Sequence, residues 1–80
     1  MWMSNVLIVV DQNNVDRNSL ADLTAAVVEV GAKDMITDEN NHVIEAVVPS
    51  QEVSTIAAMD GVSYVRSIFT YFKDEEPQAA

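Results

Sequence analysis

Eighty residues suffice for one domain but not two, because a chain this short buries only about 60 to 65% of its unfolded surface and must rely on a single core. Thirteen acidic against four basic side chains leave a net charge of −9, which repels phosphate backbones and anionic head groups and argues against nucleic-acid and membrane partners. With no cysteine in the chain, disulfides, thiol redox chemistry and thiolate metal sites are excluded as well.

The apolar residues fall in short runs, none approaching the roughly 20 that a membrane-spanning helix needs. The first run, Asn5 to Val10, is continuous and β-branched, the mark of an interior strand flanked on both sides. Because this run is shorter than a signal-peptide core and no basic residue precedes it, the expected location is the cytoplasm. Asp11 to Asn18 is rich in Asn and Asp and predicts a turn, with Asn18 or Ser19 placed to cap a helix and Asp22 three residues after Ser19 resembling a capping box. Leu20, Leu23, Val27 and Val30 then line one helical face, Val28 lies off it, and Gly31 supplies a left-handed stop.

Lys33 to Thr37 predicts a short second strand, Asp38-Glu39-Asn40-Asn41 a turn, and His42 to Val48 a third strand. In the third strand Ile44, Ala46 and Val48 alternate with Val43, Glu45 and Val47, so the two trios face opposite ways. Pro49 ends it, Ser50 is placed to cap a second helix, and Val53, Ile56 and Ala57 form that helix's inner side before Asp60-Gly61. The last strand runs from about Val62 toward Phe72, and its faces are ambiguous: Val65 and Phe69 share one parity, Tyr64, Ile68 and Phe72 the other. One domain over residues 1–73 is expected, followed by an acidic tail, 74–80, of disordered composition.

Strand, helix, hairpin, helix, strand is the order of two interleaved βαβ units, and it predicts an α+β, ferredoxin-like βαββαβ sandwich. Its four-stranded antiparallel sheet would run 4-1-3-2 with both helices on one face, leaving the other face, with Val43, Glu45 and Val47, open.

Catalytic chemistry finds no support. The sole histidine, His42, stands beside a turn with no nucleophile in reach, so an enzyme is not expected. Asp11 to Asp16 begins like a calcium loop but has Val15 at a ligand position and Asp16 where glycine is required. Asp38 and Glu39 read as a solvated turn, and neither glycine belongs to a phosphate-cradling loop. No metal or cofactor is therefore expected, and the predicted first and third strands lack the aromatics with which sheets of this kind stack RNA bases.

The stretch Val43-Ile44-Glu45-Ala46-Val47-Val48-Pro49-Ser50-Gln51-Glu52-Val53, then Ile56, then Asp60-Gly61-Val62-Ser63-Tyr64-Val65, resembles the second half of the subtilisin propeptide and inhibitor I9 family. Val30-Gly31-Ala32-Lys33 resembles the helix exit of its first half, so the likeness extends over about Asn5 to Phe69. The resemblance implies a stand-alone inhibitor or folding chaperone of a subtilisin-type serine protease. Val43, Glu45 and Val47 would dock on surface helices of the protease, with Glu45 or the Asp38-Glu39 turn near positive helix ends. Phe69, Thr70, Tyr71 and Phe72 would lie substrate-like in its cleft, paired through the main chain. The same residues also have a plainer reading: the aromatics close the core or cover an edge strand, and Glu45 is simply solvated. The alternative function is a small self-associating regulatory or scaffold module, a homo-oligomer formed through the sheet edge or open face.

Overall fold

A computed structural model describes residues 1–11, 13 and 17–73, the side chains of 17–19 excepted. The would-be calcium loop and the acidic tail 74–80 lie largely or wholly outside the described residues, as do the capping side chains of Asn18 and Ser19. Four strands, β1 (Trp2–Val10), β2 (Lys33–Asp38), β3 (Val43–Pro49) and β4 (Val62–Phe72), alternate with two helices, α1 (Arg17–Glu29) and α2 (Val53–Ala57). They form one antiparallel sheet in the order β2-β3-β1-β4. This is the expected 4-1-3-2 arrangement, with the hydrophobic β1 and β3 at the centre.

Alternation along the central strands builds the core. Val6, Ile8 and Val10 from β1 and Ile44, Ala46 and Val48 from β3 are buried on one face, where Leu23 and Val27 of α1 and Ile56 of α2 meet them. Leu20 and Val30 flank that contact and Val28 points away, as the helical stripe predicts. Ala57 is exposed, whereas Met59, just beyond α2, packs against the core: the expected inner position shifts because the helix is only five residues long.

The helix ends depart from the sequence reading in three places. Since α1 begins at Arg17, Ser19 stands inside its first turn rather than ahead of it. Ser50 opens a 3₁₀ turn, Ser50–Glu52, and α2 is preceded by Glu52, which makes no side-chain cap. Gly61 belongs to the turn into β4, where Val62 N–H donates to Met59 C=O at 3.2 Å and Gly61 takes φ +90°. Gly31 does close α1 at φ +102°. Gly31 N–H reaches Val28 C=O at 3.0 Å and Ala32 N–H reaches Val27 C=O at 3.4 Å, the paired bonds of a Schellman motif.

β1 starts at Trp2, upstream of the apolar run, because Trp2, Met3 and Ser4 pair with Phe72, Tyr71 and Thr70. The ends of the sheet clasp there. The Met1 ammonium donates to Lys73 C=O at 2.9 Å, and Lys73 N–H donates to Met1 C=O at 2.8 Å. No helix among the described residues is long and apolar enough to cross a membrane.

Candidate protein-binding face

Among the described residues, no second layer covers the face of the sheet away from the helices. Strand register assembles it in rows: Pro49, Met3 and Tyr71; Lys33, Val47, Asn5 and Phe69; Ile36, Glu45, Leu7 and Arg66; Asp38, Val43, Val9 and Tyr64. Ile36, Tyr64 and Phe69 stand out from it at 63%, 56% and 53% exposure, large apolar side chains held in water. Val43, Glu45, Val47, Leu7 and Val9 are half-buried between them.

β4 reaches this face through an irregularity. Val6 pairs with Ser67 while the adjacent Asn5 pairs with Phe69, so Ile68 is an extra residue. Such a bulge reverses the parity of everything beyond it. Tyr64, Arg66, Phe69 and Tyr71 therefore share the open face, while Val65, Ser67 and Thr70 look toward the helices. Neither parity class expected from the sequence survives: Val65 is separated from Phe69, and Tyr64 from Phe72.

Of the seven residues singled out for binding, Val43, Glu45, Val47, Phe69 and Tyr71 come together on the open face. Phe69 and Tyr71 stack at a tilt with ring centroids 5.8 Å apart. Thr70 and Phe72 belong to the other side. The Thr70 and Ser50 hydroxyls both bond the Ser4 hydroxyl, at 3.0 and 2.7 Å, so Ser50 spends its side chain on the sheet rather than on a helix cap. Phe72 meets Trp2 edge to face at 5.4 Å, beside a shallow groove lined by Met1, Trp2, Pro49, Ser50, Gln51 and Thr70. Phe69 to Phe72 do not follow the last strand: they are its end, paired to β1.

Leu7, Val9, Ile36, Tyr64 and Arg66 belong to the face and were not singled out. The run Val6 to Val10 is apolar on both sides, so alternation within it is invisible in sequence, and Arg66 joins the face through its register with Leu7.

Charge is distributed unevenly. Lys33 and Arg66 occupy the face and the Lys73 ammonium reaches Lys33 there, while among the described acids Asp38 and Glu45 belong to it. It is nearly neutral on a strongly acidic protein. The Lys73 ammonium beside Lys33 holds the Lys33 pKa below its usual value. At the far corner, the Asn41 side-chain amide, 2.7 Å away, and the backbone N–H groups of Asn41 and Asn40 hold the Asp38 carboxyl below the usual carboxylate range. One polar atom at the centre lacks a partner: Asn5 Oδ1 is buried without a hydrogen bond. Among the described residues no three His, Cys, Asp or Glu side chains group to hold a metal ion.

Comparison with protein families, with curated proteins and with solved structures returns no match to this chain.

Proposed function

We propose that this chain is a cytoplasmic protein-binding domain of ferredoxin-like βαββαβ fold, a stand-alone propeptide-like inhibitor or folding chaperone of a subtilisin-type serine protease. The observation that carries the reading is the open sheet face, apolar and close to neutral where the rest of the surface is acidic. Burying it sets no excess of one charge against a partner and removes exposed Ile36, Tyr64 and Phe69 from water. The resemblance over Val43 to Val65 supplies the partner. Face docking and cleft insertion are separable here, since Phe69 to Phe72 must first peel from β1 to enter a cleft.

Titration of a subtilisin-type protease from the same cell with this domain tests the proposal. Inhibition at micromolar concentration or below, lost in Val47→Lys and weakened in Phe69→Asp while both variants stay folded, is the expected result. Full protease activity and unchanged protease refolding at a tenfold excess of the domain would overturn it.

A second reading, a self-associating regulatory or scaffold module, is favoured by the uncovered edge of β4.

A further inference from the structure

The two edges of the sheet are built differently. β2 is six residues long, carries Lys33, Asp34 and Asp38, and breaks register between Lys33 and Ile36, where Asp34 takes φ +54°. Short length, charge and irregularity are how proteins keep an edge strand from pairing with another chain. β4 lacks most of these defences. It runs for eleven residues, contains no acid and one base, Arg66, and exposes Tyr64, Ile68, Phe69 and Phe72. On a chain of net charge −9 it is a long stretch where a second copy can approach without acid meeting acid.

The edge keeps Arg66 and two irregularities, one at Ile68 and one between Val62 and Tyr64, and a second copy neutralises the one at Ile68. We propose that two copies of this chain join antiparallel along β4, about a two-fold axis between Ser67 and Ile68, into a continuous eight-stranded sheet. In this register Arg66 stands opposite Phe69 of the second copy, Val65 opposite Thr70, and Tyr64 opposite Tyr71. Arg66, Phe69, Tyr64 and Tyr71 all belong to the open face, and Val65 and Thr70 both belong to the helix face. Every one of these pairs meets on its own side of the sheet because the two bulges oppose each other at the axis. A slip of one residue either way sets open-face residues against helix-face residues. The guanidinium of Arg66 lies against the Phe69 ring, and the two Arg66 side chains are three residues apart along the ladder, about 10 Å at the usual strand rise. Edge pairing is independent of the protease reading, since both open faces stay uncovered on the same side of the joined sheet.

Because the chain contains no cysteine, single cysteines can report the register. The full chain at about 100 μM is expected to sediment as a dimer, an interface of one strand pair being of the weak class. A mixture of Arg66→Cys and Phe69→Cys chains should oxidise to the mixed disulfide at least fivefold faster than either alone forms its own. Ile68→Lys alters an exposed side chain at the axis; it should be monomeric and keep the thermal transition that the parent shows when diluted to monomer. A monomeric parent chain would overturn the proposal. So would a dimer that Ile68→Lys leaves intact and Leu7→Lys dissociates, which would place the contact on the open face. Faster cross-linking of Arg66→Cys to itself than to Phe69→Cys would overturn the register.

Discussion

Asn5 is the residue that fits its surroundings least. It sits mid-strand in β1, between Val47 and Phe69 in register, with its carbonyl oxygen buried and unbonded. A buried polar atom without a partner forfeits the hydrogen bond it had with water, and its removal is rarely costly. Asn5→Leu, similar in shape, should therefore stabilise the free domain by about 1 kcal/mol, read from the midpoint of urea unfolding. A loss of stability would mean that the amide is satisfied in solution. If Asn5 is kept for a partner, the same variant should bind the proposed protease target less tightly while being more stable, a trade common at functional positions.

At the scale of elements, Gly31 shows how one residue fixes a junction. Its φ of +102° is unfavourable for any side chain, and a Cβ there would come within 3.2 Å of Pro49 Cγ. Gly31→Ala should cost about 2 kcal/mol, seen as a lower urea midpoint with an unchanged slope. That stop was legible in sequence, as were the α1 stripe, the turn after Asp38 and the alternation of β3, because each depends on residues close together in the chain. What was not legible depends on partners far along it. Nothing local in Trp2-Met3-Ser4 announces a strand; those residues become one by pairing with the end of β4. The faces of β4 were unreadable because the bulge at Ile68 exists only in register with Asn5 and Val6. Ser50 looked like a cap because its neighbours suit one, yet a buried Ser4 hydroxyl across the sheet claims it. The binding face was half legible for the same reason: Val43, Glu45 and Val47 followed from period two, while Leu7 and Val9 were hidden in a run that is apolar on both sides.

For the whole molecule, the balance of charge sets how association responds to salt. Two copies of a chain with net charge −9 repel at a distance, although the strand proposed to join them carries only Arg66. Raising sodium chloride from about 20 to about 200 mM shortens the screening length from about 20 Å to about 7 Å. Self-association should tighten severalfold over that range, measured by sedimentation equilibrium. Weakening with salt would mean that ion pairs between copies, rather than strand pairing and apolar contact, hold them together.

The clasp between Met1 and Lys73 has a consequence for how the chain can be cut and rejoined. Two reciprocal backbone bonds hold residues 1 and 73 side by side at one corner of the sheet. The fold is thus a nearly closed loop whose opening lies at that corner by history of connectivity rather than by demand of packing. A short linker could close it there, with new ends opened in the exposed Glu39–Asn41 turn, which no core residue occupies. Circular permutation of this kind would preserve every strand neighbour while moving the free ends to the opposite side of the molecule from the Trp2–Phe72 pair. Residues 1 and 73 now lie beside the Trp2–Phe72 pair, whereas the new ends of the permuted chain would lie beside the guarded edge, β2.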